Sequence, residues 1–291
     1  MSRAIQQAED KICFYSEEMV RETEVKFLLA NHLVGAISSN ELTVYHQPII
    51  DIKQRKSIIG LEALLRWKNP TLGMVPPDKF IPLAEKTGQI IVIGEWVLIQ
   101  VCKQIKQWRH MSYRVVPIAV NISVKLFERI GFAQIVLDVM IKNTIETNEI
   151  ELEITESVSL GDTLSIVRNL KELKKNEIKI SMDDFGTGFS SLGQLDLFEL
   201  DKLKIDEIFI DDLVNDSKRQ NLVKSIIAMA KGLDLKVVAE GIETSEQLSY
   251  LKELGCQMGQ GYLFSKLLPA DEIGILLNAD KGYINEFTYN I

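Results

Sequence analysis

Acids and amides recur in this sequence where short apolar runs give out. Glu62 lies in GLEALLRW, Asn121 closes VVPIAVN and Glu153 lies in IELEIT. Asp183 and Asp184 close IKISMDD, Lys204 and Asp206 close KLKID, Glu240 closes LKVVAE, and Gln260 lies in QMGQG. Seven runs in succession thus carry a polar group near the same end. If the runs are strands of one barrel, six carboxylates converge on one mouth. Like charges at such range cannot all stay ionised without cations, so either several are protonated or divalent metals sit among them. Oxygen ligands with one amide point to Mg²⁺ or Mn²⁺ rather than zinc, and only His32, His46 and His110 are available as imidazole ligands. Two hard cations among carboxylates suit the hydrolysis or transfer of a phosphate ester. Lys204, alone among the acids, is placed to hold a water or a phosphate oxygen, or to balance charge in a salt bridge.

The elements around these residues follow a regular beat. LTVYHQPIID reads as a strand, and SIIGLEALLRW comes after roughly residues 52–56. Five residues close a hairpin but cannot hold a parallel crossover, which takes about a dozen or more, so the first two strands should be antiparallel. Helical stretches at 78–86 and 91–109, then at 132–143, 163–176, 191–198, 221–232 and 245–254, separate the later strands, and 269–277 closes the series. Eight strands alternating with helices fit an α/β fold of the (β/α)8 TIM-like barrel type with an antiparallel first strand. The rival, a doubly wound open sheet, usually carries a Gly-rich first turn, and no GxGxxG occurs here. The barrel should occupy 41–280, with a tail at 281–291. Residues 1–40 read as a helical lead, either a linker from an upstream module or a helix packed on the barrel.

Composition excludes several classes. The chain has 291 residues, 46% hydrophobic and 25% charged, enough for one large core or two small ones. Thirty-three basic against 41 acidic residues give a net charge of −8, which argues against bulk nucleic-acid binding. No apolar run reaches the ~18 residues of a membrane span, and the polar MSRAIQQAEDK lacks a secretion leader. Cys13, Cys102 and Cys256 are odd in number and far apart. Neither a disulfide framework nor a structural zinc site fits them, and a reducing cytoplasm is the simplest location. DDFGTGFSS contains DFG, but the other kinase motifs are absent, as is a GxxxxGK[ST] loop. Gly186 and Gly188 suit either a mobile loop after the acid pair or a plain turn.

Taken together, the motifs resemble the EAL-domain phosphodiesterases of bacterial cyclic di-GMP signalling. The name motif is Glu62-Ala63-Leu64, flanked by YHQPII at 45–50, FIPLAEKTG at 80–88, AVNIS at 119–123, LEITES at 152–157, DDFGTGFSSL at 183–192, LKID at 203–206, VVAEGIET at 237–244 and QGYLFS at 260–265. The resemblance implies hydrolysis of cyclic di-GMP to linear pGpG with two Mg²⁺ or Mn²⁺ ions. It implies Glu62, Asn121, Glu153 and Asp183 as ligands of one metal, Asp183 bridging to a second near Asp184 and Asp206. It further implies Glu240 as general base, Lys204 as its water-holding partner, and Glu156 as anchor of the DDFGTG loop. Gln47 and Arg66 match substrate-holding positions, and Glu243 and Gln260 match positions lining the site. Homodimer contacts through the EAL domain and an upstream sensor or GGDEF-like domain are also implied, since KICFYSEEM and the helix after it resemble the end of such a domain. Glu207 stands where the family usually has Arg, which weakens the expectation of family-style dimer contacts, and Phe189 replaces the commoner Tyr. Inactive relatives that only bind the dinucleotide typically lose a metal-site acid or the loop, and here all are present. The alternatives are such a non-cleaving receptor and an unrelated barrel enzyme acting on sugar phosphates.

Overall fold

The computed structural model describes residues 17–53, 57–156, 163–187 and 198–279, with side chains from residue 24 onward. In chain order the elements are α1 (Glu17–Gly35), β1 (Leu42–Asp51), β2 (Ile58–Asn69), β3 (Gly73–Val75), α2 (Pro77–Thr87), α3 (Gln89–His110), β4 (Ile118–Ile122), α4 (Val124–Phe127) and α5 (Phe132–Asn143). Next come β5 (Ile150–Thr155), α6 (Thr163–Lys175), β6 (Lys179–Phe185), β7 (Lys202–Ile205), α7 (Ser217–Gly232), β8 (Lys236–Ala239), α8 (Ser245–Glu253), β9 (Met258–Gly259), β10 (Leu268–Pro269) and α9 (Ala270–Asn278). They fall into two compact units, one from 1–43 with 66–89, the other from 44–65 with 90–291.

The larger unit holds a closed α/β barrel. β2, β4, β5, β6, β7, β8 and β9 are successive parallel neighbours. β1 runs antiparallel to β9 and also pairs with β2, which closes the ring of eight strands. The reversed first strand results from its short connection, where Asp51 N–H donates to Ser57 O at 3.0 Å. The parallel strands are covered on both faces and therefore read as nearly continuous apolar runs; Ile150, Leu152 and Ile154 on β5 are fully buried beside Glu151 and Glu153. Three of the helices, α4, α7 and α8, begin at side-chain caps: Ser123 Oγ accepts from Leu126 N, Asp216 from Lys218 N, and Thr244 from Gln247 N.

In the smaller unit α1 packs on α2, and Leu29 and Leu33 of α1 are buried, as is Ala36 just after it. Glu41 Oε2 accepts from Trp67 Nε1 at 2.9 Å and Asn69 Nδ2 at 2.8 Å, tying the end of β2 to the residue before β1. Asn69 Oδ1 accepts from Thr71 N and Leu72 N and shapes the turn into β3. The short elements β3, α4 and β10 escape sequence reading because two to four residues carry no period. The helix expected at 191–198 lies outside the described residues except for Phe198, which stands in a turn. The first part of the lead (1–16), Gly188, Phe189 and the tail at 281–291 also lie outside them. No single helix among the described residues is long and apolar enough to cross a membrane.

Candidate active site

Parallel register brings the strand-end residues to one mouth. Glu62 is the Cα partner of Ala119, Asn121 of Glu153, and Thr155 of Asp183. Lys204 lies between them, 1% exposed, with its Nζ 2.6 Å from Glu240 Oε1, 3.1 Å from Glu153 Oε2, 3.2 Å from Glu62 Oε2 and 3.2 Å from Asp183 Oδ1. Asn121 Nδ2 donates to Glu62 Oε1 at 2.8 Å. Gln260 Nε2 donates to Glu62 Oε2 at 2.7 Å and to Gln47 Oε1 at 2.8 Å, and Gln47 Nε2 donates to Ser265 O at 3.2 Å. Both Glu62 oxygens are therefore fixed by amides, one on the neighbouring β4 and one directly after β9. Ser265 closes QGYLFS, yet its part in the site is invisible in the sequence, because Gln47 is held by its backbone carbonyl.

One ammonium faces four carboxylates in a dry environment. Burial pushes Lys204 down, but Asp183, Glu153, Glu240 and Glu62 outweigh it and hold the amine well above its ordinary value. Burial raises Glu153 and Glu240 well above the usual carboxylate range, with Lys204 pulling against it. Asp183 is raised by burial too. Burial also opposes ionisation of Glu62, yet Lys204 and the amide donors Gln260 and Asn121 leave that carboxyl below its ordinary value. Glu62, Glu153 and Asp183 offer oxygens that all lie within 4.8 Å of one another. This buried acidic triad can bind a metal ion. The donor set is all oxygen and carries excess negative charge, so its chemistry suits a hard divalent cation. Gln260 Oε1 is buried with no hydrogen-bond partner among the described residues, leaving a further oxygen acceptor at the mouth.

Strand alternation would aim Asp183 and Asp184 to opposite faces. Instead the register of β6 against β7 shifts between Met182 and Phe185, and Asp184 takes φ 56°. Asp184 N donates to Asp183 Oδ1 at 3.0 Å, and the two side chains of Asp184 and Asp206 share a hydrogen bond. Burial, then Asp183 and Asp206, push the Asp184 carboxyl up to about 6. Asp206 Oδ1 accepts from Ile208 N at 2.7 Å and so caps the 3-10 turn Glu207–Phe209. Glu156 directly follows β5, is 4% exposed, and accepts from Gly186 N at 3.1 Å. Glu243 lies on an exposed stretch after β8, and its backbone N donates to Gln247 Oε1 at 2.8 Å. Arg66 comes four residues after Glu62 on β2 and belongs to the smaller unit. Ten of the candidate residues are thus joined by direct contacts in one network or its immediate margin: Gln47, Glu62, Asn121, Glu153, Asp183, Asp184, Lys204, Asp206, Glu240 and Gln260.

The family model described as EAL domain matches residues 30–267. The bifunctional diguanylate cyclase/cyclic di-GMP phosphodiesterase MucR of Pseudomonas aeruginosa is 37% identical over 273 residues, 94% of this chain and 40% of MucR. The cyclic di-GMP phosphodiesterase PdeR of Escherichia coli is 33% identical over 89% of this chain and 39% of its own length. The chain therefore spans about two fifths of these curated relatives. A solved MucR phosphodiesterase domain in complex with cyclic di-GMP superposes with TM-score 0.80 at 38% identity, covering 84% of this chain and 99% of that one. With the barrel, the EAL triplet on β2 and a family match over most of its length, the chain belongs to the EAL domain family.

Proposed function

We propose that this chain is a cyclic di-GMP phosphodiesterase that opens one phosphodiester bond to give linear pGpG. The observation that carries the reading is the Lys204 ammonium within 3.2 Å of four carboxylates, three of them buried and Glu240 partly exposed, with Asn121 and Gln260 fixing Glu62 beside it. Glu62, Asn121, Glu153 and Asp183 would hold one Mg²⁺ or Mn²⁺ ion, and Asp183, Asp184 and Asp206 a second. Bound cations supply Lewis-acid neutralisation of the phosphate and acidify an attacking water. Glu240 would accept the proton of that water as its oxygen bonds to phosphorus, the P–O bond to the leaving ribose oxygen would break with that oxygen taking a proton from solvent, and Glu240 would then return its proton to solvent. Lys204 orients Glu240 and the water. Arg66, through its planar fork, and Gln47 hold the substrate, while Glu243 and Gln260 line the site. Glu156 anchors the loop after the acid pair.

In the same reading, 41–280 is the catalytic body, 1–40 a lead from an upstream sensor or GGDEF-like domain, and 281–291 a tail. The body works in the cytoplasm and pairs as a homodimer. The deciding experiment is cyclic di-GMP turnover in Mg²⁺ or Mn²⁺, with and without EDTA. Release of pGpG that EDTA abolishes is the expected result. Dinucleotide that binds and stays uncut would make the chain a receptor, and hydrolysis of sugar phosphates alone would make it a different barrel enzyme.

A further inference from the structure

Gly186 comes directly after the strand end Asp183-Asp184-Phe185, and contacts of two kinds fix its backbone. Its N–H donates to Glu156 Oε2 at 3.1 Å. Its φ is +96°, and a methyl built on it would meet two ring carbons of Phe209 at 3.0 and 3.2 Å and Ile226 Cδ1 at 3.7 Å. The Phe209 ring therefore lies directly against the Gly186 Cα. Glycine in this region is free to adopt many conformations, so outside contacts must choose one. A hydrogen bond sets the direction of a single N–H and leaves rotation about it open. A fixed apolar wall removes that freedom.

Phe209 stands on a well-held support. Its 3-10 turn, Glu207–Phe209, starts at Asp206, whose Oδ1 accepts from Ile208 N. Phe209 N donates to Asp206 O at 3.1 Å and Ile210 N to Glu207 O at 2.8 Å. The Arg219 guanidinium donates to Ile208 O. At its other end the turn presses on the residue after Glu240: a Cβ on Gly241 would fall 2.5 Å from Glu207 Cβ. One short turn thus abuts the chain just past Asp184 and the chain just past Glu240.

We propose that Phe209 is a positioning residue for the metal-holding carboxylates: its ring and the Glu156 carboxylate together fix the backbone at Gly186, and through it the aim of Asp183 and Asp184. The assignment rests on reading those two acids as metal ligands. The test monitors Mn²⁺ binding, without dinucleotide, by the loss of the free-ion electron paramagnetic resonance signal. Parent, Phe209→Ala, Phe209→Leu, Gly186→Ala and the Gly186→Ala/Phe209→Leu double variant are compared, each checked for folding by circular dichroism. Loss of a group that orients a ligand commonly weakens metal binding by ~10-fold or more, which is the effect expected of Phe209→Ala. Phe209→Leu keeps the branch at Cγ but lacks the Cε2 and Cζ atoms that meet Gly186, so it should weaken binding too, by less than Phe209→Ala. Gly186→Ala is strained by its φ of +96° and also drives a methyl into the intact ring, so it should weaken binding, and shortening the ring in that background should recover only the share due to the clash. If Phe209→Ala does not fold, Phe209→Leu decides. Parental Mn²⁺ binding in folded Phe209→Ala, or in Phe209→Leu where Phe209→Ala does not fold, overturns the assignment. A parent that binds Mn²⁺ but leaves cyclic di-GMP uncut overturns only the functional reading, whereas a parent that binds no Mn²⁺ overturns both.

Discussion

Lys204 gives the site its order. An isolated ammonium that is 1% exposed would shed its proton, but four carboxylates around it reverse that tendency. The same contact holds Glu240 Oε1 at 2.6 Å, so the proposed base keeps its place through Lys204. Glu240→Gln preserves shape and removes the proton acceptor. Its turnover should fall ~10²–10⁴-fold while cyclic di-GMP affinity, read by calorimetry, stays within about tenfold. A Gln variant turning over at the parental rate would place the base elsewhere. His46 shows burial acting without a partner. Its ring packs on Trp108 at 5.3 Å, neither ring nitrogen has a hydrogen-bond partner among the described residues, and burial lowers its pKa to about 4. The unfolded chain binds that proton near pH 6.5 and the folded chain only near pH 4, so folding loses stability as pH falls through this window. Between pH 7 and 5 the loss from this one group is about 2 kcal/mol. Urea midpoints at the two pH values should show it in the parent, and His46→Leu should lack that share. An equal pH dependence in both proteins would count against a neutral buried His46.

At the scale of elements, the end of β6 decides what the acids can do. A regular strand would send Asp184 away from Asp183, and the left-handed φ of Asp184 with the shifted register undoes that. This is why the pair is legible in the sequence as residues but not as geometry: period-two reading has no place for a residue with positive φ. The β1–β2 hairpin is legible because chain length alone forbids a crossover, and the seven polar strand ends because parallel strands share one direction. Phe209 is not, since an aromatic in an irregular turn looks like any core residue. Glu156 is legible only through the LEITES match, and its bond to Gly186 N gives the match a physical content. Charge-assisted hydrogen bonds of this kind contribute ~1.5–3 kcal/mol. Glu156→Ala should therefore leave the barrel folded, lower turnover and raise the Mg²⁺ concentration at half-maximal rate, with excess Mg²⁺ restoring part of the activity. Glu153→Ala removes a proposed ligand and should not be rescued in this way. A Glu156→Ala enzyme with the parental rate and Mg²⁺ midpoint would refute the anchor.

For the molecule as a whole, the mouth is a liability to folding that a bound cation converts into support. Four carboxylates share one ammonium, and burial raises Glu153, Glu240 and Asp183 above their ordinary values. A carboxyl whose folded pKa is raised opposes folding from its unfolded pKa upward, most fully above the folded pKa, and the opposition fades as pH falls back to the unfolded value. A divalent cation that binds only the folded chain stabilises it by mass action, by about 2.7 kcal/mol at a hundredfold excess over its dissociation constant. The sign of a substitution here should therefore depend on the metal. In EDTA at pH 7.5, Asp183→Asn lowers the repulsion among the acids and should melt at or above the parental temperature. In saturating Mn²⁺ the parent should rise and the variant should rise only weakly, because its side chain no longer offers an ionised ligand, so the order of the two melting temperatures inverts. Melting curves of both proteins in the two buffers test the inversion directly. A variant less stable than the parent by the same margin in EDTA and in Mn²⁺ would mean that Asp183 serves packing rather than charge, and that the cation site lies elsewhere among the acids.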